Sequence, residues 1–136
     1  MSARSKARKR ALDLLYSAEL RDVPVQQMLE AEAERAAGEP ERQASWLYAR
    51  EIVDGYLDHR DTIDELISYH AHDWALERMP AVDRALLRIG TWEIVYNERV
   101  PDAVAIAEAV ELATTLSTAD SAGFVNGVLA AISHEA

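Results

Sequence analysis

Five positively charged side chains stand close together at the start of the chain, with no acidic residue among the first ten positions. They are Arg4, Lys6, Arg8, Lys9 and Arg10. Proteins use clustered guanidinium and ammonium groups to neutralise phosphates, so this segment favours nucleic-acid binding with a marked salt dependence. The alternative is a charged terminus that stays in water and improves solubility.

The remainder of the chain is strongly acidic. Its 136 residues include 14 Lys and Arg against 24 Asp and Glu, which gives a formal net charge of −10. The first ten residues carry +5, and the other 126, with nine bases and 24 acids, carry −15. These 126 residues, which are acidic overall, are expected to repel polyanions everywhere except at the basic segment, and their negative charge favours a basic partner.

The first predicted helix, from about residue 5 to residue 21, determines where the cations point. Its apolar residues recur at helical spacing and define a buried side: Ala7, Ala11, Leu15 and Ala18. The open side then carries Lys6, Lys9 and Arg10, whereas Arg4 and Arg8 fall on the apolar side. Tyr16 also lies on the open side, where its ring could stack on a base, anchor a partner or pack against a neighbouring helix.

A long predicted helix over residues 81–97 has two unusual features. Glu93 lies in the middle of its apolar face, where a carboxylate must be paired, and we predict an arginine partner. Leu87 and Ile94 form a second apolar strip, which flanks Asp83. That strip is typical of a surface where another protein docks, and packing against a helix of the same chain explains it equally well.

The last predicted helix, over residues 120–133, places Gly123 and Gly127 on one face, next to Asn126. Each glycine costs about 1 kcal/mol relative to alanine in a helix interior, which indicates that a ligand or another backbone approaches closely. Tight packing of two helices is the alternative. The amide groups at the start of this helix could hold a phosphate, unless Asp120 already caps them.

The chain lacks the residues of common catalytic and metal sites. It has no cysteine, glycine-rich phosphate loop, nucleophile elbow, HExxH pair or Glu-x-x-His pair. The nearest metal candidate is the run from His70 through His72 to Asp73, but residues two apart on a helix do not face the same way. We therefore predict no enzymatic activity, no metal and no cofactor.

Helical periodicity dominates the chain, and no convincing stretch alternates with the period of a strand. We predict an all-α fold, a compact bundle of six or seven helices, in a single domain over residues 1–136 with a basic arm at residues 1–10. No apolar stretch approaches the roughly 20 residues of a membrane span, and the basic start lacks the apolar core of a signal peptide. We therefore expect a cytoplasmic protein.

Four segments resemble one known family. They are ALDLLYSAEL at residues 11–20, VDRALLRI at 82–89, PDAVAIAEAVELA at 101–113 and FVNGVL at 124–129. Together with the basic start and the helical pattern, they are similar to the NusB family of bacterial transcription antitermination factors. The third and fourth segments at this distance are the most specific part, and the resemblance covers nearly the whole chain.

The resemblance implies two packed helical sub-bundles without catalytic activity. It implies binding to the boxA element of nascent ribosomal RNA transcripts together with the ribosomal protein NusE. The complex would join RNA polymerase and other Nus factors and suppress premature Rho-dependent termination.

The same resemblance assigns roles to individual residues. The family's arginine-rich motif falls on the five cations at the start of the chain, and its partner-facing tyrosine and acid fall on Tyr16 and Asp83. Phe124 and Asp120 fall near its RNA surface. To these we add Asn126 as an RNA-binding candidate and Leu87 and Ile94 as partner-binding candidates.

Some positions depart from the family pattern. The family often has Asn and Lys where this chain has Ala107 and Thr115, which puts an RNA contact there in doubt, and Ser5 interrupts the basic run. The spare apolar strips are compatible with a homodimer, which some members form.

Two other functions remain open. One is a helical RNA-binding domain related to that of ribosomal RNA methyltransferases, and the other is a protein–protein adaptor that binds no RNA.

Overall fold

The computed structural model describes residues 2–72 and 74–135. Within these residues the regular structure is helical, with seven α-helices, two short 3₁₀ turns and no strand, so the predicted all-α fold is confirmed. The helices are α1 (Ala3–Arg21), α2 (Val25–Ala37), α3 (Gln43–Asp58), α4 (Arg60–His70), α5 (Ala81–Tyr96), α6 (Asp102–Leu116) and α7 (Ser121–Glu135). The 3₁₀ turns are Pro40–Arg42 and Leu76–Arg78.

The ends of α1 explain how its cations are presented. The Oγ of Ser2 accepts a hydrogen bond from the backbone N–H of Ser5 at 3.1 Å, and this cap starts the helix two residues earlier than predicted. At the other end, Asp22 adopts the left-handed conformation (φ 53°), and its N–H bonds to the carbonyls of Ala18 and Glu19. The basic segment therefore forms the opening turns of a capped helix.

The chain divides into two compact units, residues 1–54 and 55–136. The first unit holds α1, α2 and most of α3, and α1 packs on α2. The buried side of α1 is the predicted one, with Ala7, Ala11, Leu15 and Ala18 all in the core. Leu12 and Leu14 are buried as well, so α1 has a wider apolar face than the spacing of the alanines indicated.

In the second unit α5 packs against α4, α6 and α7. Most of its circumference is therefore buried, including Glu93, which is 1% exposed. Close approach to α7 depends on Gly90, because a Cβ there would lie 2.7 Å from Cδ1 of Leu129. No helix of the described residues is both long and apolar enough to cross a membrane.

A buried polar network joins α3, α4 and α5 within the second unit. The hydroxyl of Tyr56 donates to Asp64 at 2.9 Å, and Arg88 donates from Nε and Nη2 to the same carboxylate at 3.0 and 3.1 Å. Burial raises the pKa of Tyr56 to about 12, with Asp64 raising it further and Arg88 opposing the shift. Three helices thus share one satisfied carboxylate, as a buried charge requires.

Candidate nucleic-acid interface

The five cations of α1 lie in different surroundings. Arg4 and Lys6 are exposed, and the guanidinium of Arg4 lies 5.4 Å from the ring centre of Tyr48. Arg8 is only 3% exposed, and its guanidinium lies 5.9 Å from the same ring. The prediction that Arg8 falls on the apolar side of the helix is therefore correct, and an aromatic side chain of α3 accommodates it.

The other two cations are paired with carboxylates of the same unit. Lys9 donates to Asp13, one turn along α1, at 2.8 Å. Arg10 donates from Nε to the Oγ of Ser45 at 3.0 Å and lies 3.4 Å from a carboxylate oxygen of Glu32. The expectation that Arg10 faces open solvent is wrong, because α2 and α3 supply these partners and leave its side chain 23% exposed.

Sequence reasoning missed Tyr48, which lies beside both Arg4 and Arg8 and is itself 7% exposed. No sequence pattern linked Tyr48 to the arginines, because the two segments lie about forty residues apart and meet only through side-chain contacts between α1 and α3. A ring close to two guanidinium groups restrains their orientation, because a cation is attracted to the face of an aromatic ring. Tyr16 is half-buried on the same helix as the arginines.

A groove in the second unit contains the candidate residues of α7. It has a volume of about 520 Å³, and its walls include His70, His72, Trp74, Gly123, Phe124 and Gly127. Trp74 and Phe124 meet edge to face, with ring centres 5.2 Å apart. Phe124 is half-buried, so an aromatic edge remains at the mouth of the groove. Asn126 is exposed on the same helix, and Asp120 is exposed immediately before its first residue.

The two glycines of α7 do not pack against another helix. A Cβ built on Gly123 or Gly127 would meet no atom of the described chain within 4 Å. Tight packing of two helices at these glycines, the alternative drawn from the sequence, is therefore wrong, because this face of α7 lines the groove instead. The expected close approach has no counterpart within the described chain, which leaves room for a ligand.

The proposed docking strip on α5 lies inside the second unit. Asp83 and Leu87 have no exposed surface, and Ile94 is 9% exposed. The carboxylate of Asp83 accepts hydrogen bonds from the hydroxyls of Ser117, at 2.6 Å, and Ser121, at 2.8 Å. Of the two interpretations, packing against helices of the same chain is confirmed and an exposed strip is wrong, because α4, α6 and α7 cover α5 and hydroxyls near the start of α7 satisfy its acid.

The weak metal candidate is not assembled by the part of the chain that the structure describes. His70 bonds to the carboxylate of Glu135 through Nε2, and no group of three or more potential ligands occurs among the described residues. Asp73 lies outside the described residues. The predicted arginine partner of Glu93 stays a prediction.

Comparison with known proteins adds a second line of evidence. Residues 5–134 match the model of the NusB family. The chain belongs to the NusB family. A transcription antitermination protein NusB from Leifsonia xyli is 66% identical over 134 residues, which cover 98% of this chain and 93% of the relative. The NusB family is thus one of antitermination factors and not of enzymes, in agreement with the sequence-based prediction.

Solved NusB structures share this fold over almost their full length. NusB of T. maritima superposes with a TM-score of 0.85 at 33% identity and covers 97% of this chain and 91% of that one. A structure of antitermination factors NusB and NusE in complex with dsRNA superposes with a TM-score of 0.85 at 26% identity, over 100% and 99% of the two chains. The candidate residues of this NusB chain fall in both units, with the cations on α1 and the aromatic groove along α7.

Proposed function

We propose that this chain binds boxA RNA of nascent ribosomal RNA transcripts together with NusE and suppresses premature Rho-dependent termination. The observation that carries the proposal is the pair of exposed cations, Arg4 and Lys6, on the opening turns of a capped helix in a chain of net charge −10. The family supports it, and so does the full-length similarity to a NusB that was solved with NusE and RNA.

The proposed RNA contacts differ between the two units. On α1, Arg4 and Lys6 contact backbone phosphates directly, whereas the buried Arg8 orients α1 against Tyr48. Lys9 contributes after it releases Asp13. On α7, the partly exposed ring of Phe124 contacts an unpaired base, because every base offers a π-face to an aromatic ring.

Asp120 and Asn126 are proposed to contact bases rather than phosphates. Both are exposed, Asn126 on α7 and Asp120 just before it, and the same helix carries Phe124 in the groove. A carboxylate repels phosphate, but it accepts hydrogen bonds from the exocyclic amino groups of bases, and an amide both donates and accepts. These two side chains therefore supply sequence preference rather than general affinity.

The proposed protein partner is the basic ribosomal protein NusE. Outside its first ten residues the chain carries a charge of −15, which favours a positively charged partner. Tyr16 is half-buried and so retains surface for an anchoring contact. Asp83, Leu87 and Ile94 are buried within the second unit, so they would support NusE binding indirectly, by holding that unit in shape. We also propose that the chain assembles with RNA polymerase and other Nus factors. The free chain is proposed to form a homodimer.

A salt titration of RNA binding tests this function. Fluorescence anisotropy is measured with boxA RNA and with a scrambled RNA, each with and without NusE. The double variant Arg4→Ala and Lys6→Ala should bind boxA RNA about tenfold more weakly. Its salt slope should fall by about 0.7 for each phosphate of the single strand that the variant no longer neutralises.

The matched control is Arg50→Ala, because Arg50 is a partly exposed arginine of the same unit that pairs with Asp54 at 3.5 Å. It should bind like the wild-type chain. Equal affinity for boxA and scrambled RNA, with NusE present, would contradict the boxA assignment. Unchanged affinity and salt slope in the double variant would remove α1 from the interface.

A further inference from the structure

The first unit contains a cavity of about 330 Å³ that the proposed RNA contacts do not include. Three guanidinium groups line it, from Arg10 on α1, Arg35 on α2 and Arg42 in the 3₁₀ turn Pro40–Arg42. Two carboxylates, Asp13 and Glu32, lie in the same wall. Since one water molecule takes about 30 Å³ in the liquid, the cavity has room for a polyatomic ion.

Arg10 is held in place for a ligand. Its Nε donates to the Oγ of Ser45 at 3.0 Å, and that hydroxyl donates to the backbone carbonyl of Arg42 at 3.2 Å. Ser45 is 4% exposed, so this anchor is inside the protein. Because Nε is occupied, the terminal nitrogens of Arg10 are left to contact Glu32 or a ligand, and the side chain is already ordered before a ligand binds.

Glu32 occupies the position that an external anion would take. Its carboxylate lies 3.1 Å from Nη1 of Arg35 and 3.4 Å from Nη1 of Arg10, so two guanidinium groups converge on one acid. The other acid of the wall, Asp13, is engaged by Lys9. The side chain of Arg35 is 62% exposed and that of Arg42, which pairs with Glu39, is 38% exposed, so both can turn toward an incoming ligand.

We infer that this cavity binds a phosphate group, supplied by the backbone of bound RNA, and that Glu32 is the internal counter-ion which the phosphate displaces. The inference rests on the proposed RNA binding and extends it to Arg35 and Arg42. Arg10 follows Lys6 by four residues on α1, about 6 Å along the helix axis, so a strand that contacts Lys6 reaches the cavity by continuing along the same helix. The two non-bridging oxygens of a backbone phosphodiester are charged acceptors, and guanidinium groups bind such oxygens with charge-assisted hydrogen bonds.

Binding of boxA RNA by single variants tests the inference. Arg35→Gln and Arg42→Gln should each weaken binding about threefold and lower the salt slope by about 0.7, the effect of one phosphate contact. Glu32→Gln keeps an acceptor for Arg10 and Arg35 but removes the competing charge, so it should strengthen binding about threefold. Arg50→Gln, at a partly exposed ion pair of the same unit away from the cavity, should bind like the wild-type chain.

The outcomes separate this inference from the proposed function. Suppose that the double variant Arg4→Ala and Lys6→Ala binds RNA more weakly, while Arg35→Gln and Arg42→Gln bind it like the wild-type chain. That result contradicts phosphate binding in the cavity and leaves the proposed RNA function intact. Weakened binding in Glu32→Gln also contradicts phosphate binding in the cavity, because it would make Glu32 a contact rather than a competitor. Circular dichroism and thermal unfolding of each variant check that the fold is unchanged.

A second readout applies if the wild-type chain binds no RNA, in which case the proposed function has failed. Inorganic phosphate is then titrated while the Nε–H resonance of Arg10 is followed by NMR. A saturable shift that disappears in Arg35→Gln supports a phosphate site supplied from free solution. If no such shift occurs, the cavity does not bind phosphate from any source, and the inference is wrong.

Discussion

Asp83 is a single residue whose burial changes its predicted role from contact with a partner to stability of the fold. Its place beside Leu87 and Ile94 in the sequence resembles a docking strip, yet it has no exposed surface and accepts two hydroxyl hydrogen bonds. The partners, Ser117 and Ser121, lie more than thirty residues away along the chain. Periodicity in one helix reports which residues share a face, but it does not report what covers that face.

Replacement of Asp83 should therefore affect stability before it affects any partner. Asp83→Ala removes the acceptor of two hydroxyl groups and should lower the free energy of unfolding by about 3 kcal/mol, because hydrogen bonds to charged groups contribute more than neutral ones. Urea denaturation measures the change. Asp120→Ala, at an exposed acid, is the control and should change stability by less than about 0.5 kcal/mol. A stable Asp83→Ala chain that no longer binds NusE would instead place this carboxylate at the surface in solution.

The arginines of α1 show which part of the site was predictable. The apolar side of the helix, and Arg8 on it, followed from the spacing of small residues, and the structure buries Arg8 against Tyr48. Arg10 could not be placed in the same way, because Glu32 and Ser45 come from other helices. Side-chain pairs between distant segments depend on tertiary packing, which a single helical pattern does not contain.

At the scale of elements, the sequence predicted helix positions well. The predicted helix over residues 81–97 matches α5 (Ala81–Tyr96), and the predicted last helix over residues 120–133 matches α7 (Ser121–Glu135). Proline and the long apolar periodicity mark such boundaries directly. The roles of the glycines could not be predicted from the sequence. A glycine lowers the stability of a helix by the same amount whether it faces an aromatic ring or an open groove.

Two glycines of the helices should respond to alanine in opposite directions. A Cβ on Gly55 of α3 would collide with the indole ring of Trp92, whereas a Cβ on Gly123 of α7 would meet nothing within 4 Å. Gly55→Ala should therefore lower the free energy of unfolding by about 1–3 kcal/mol through overpacking. Gly123→Ala should raise it by up to about 1 kcal/mol through helix propensity.

Thermal unfolding followed by circular dichroism at 222 nm would measure both glycine variants, and each serves as the control for the other. Equal changes of the same sign would mean that helix propensity alone determines the outcome, and that Trp92 moves aside at no cost.

At the scale of the whole molecule, the distribution of charge is expected to determine which parts of the chain can bind RNA. The chain carries +5 in its first ten residues and −15 in the remainder. The negative charge outside the first ten residues raises the free energy of a bound polyanion wherever no specific contact offsets it, and this effect weakens as salt screens the charges. The net charge therefore bears on selectivity rather than on the fold.

Neutralising acids far from α1 in the sequence should therefore relax this restriction. Glu65 and Glu98 are exposed in the second unit, and the double variant Glu65→Gln and Glu98→Gln should bind scrambled RNA about twofold more tightly at low salt. The difference should vanish at high salt, where the Debye length is about 3 Å at 1 M. Anisotropy titrations at several salt concentrations measure it, with Gln26→Ala, an exposed neutral position on α2, as the control. A gain that persists at high salt would point to a specific contact instead.

The three tryptophans of the chain differ sharply in their access to solvent. Trp46 and Trp92 are 4% and 6% exposed, whereas Trp74 is 40% exposed and stands against Phe124 at the groove. A collisional quencher such as acrylamide therefore reaches mainly one of the three indoles. The emission that it removes comes from the groove, so the native chain carries a fluorescent reporter of groove occupancy that needs no label. A base that stacks at Phe124 would shield Trp74 and reduce that quenching, while phosphate contacts along α1 alone would leave it unchanged.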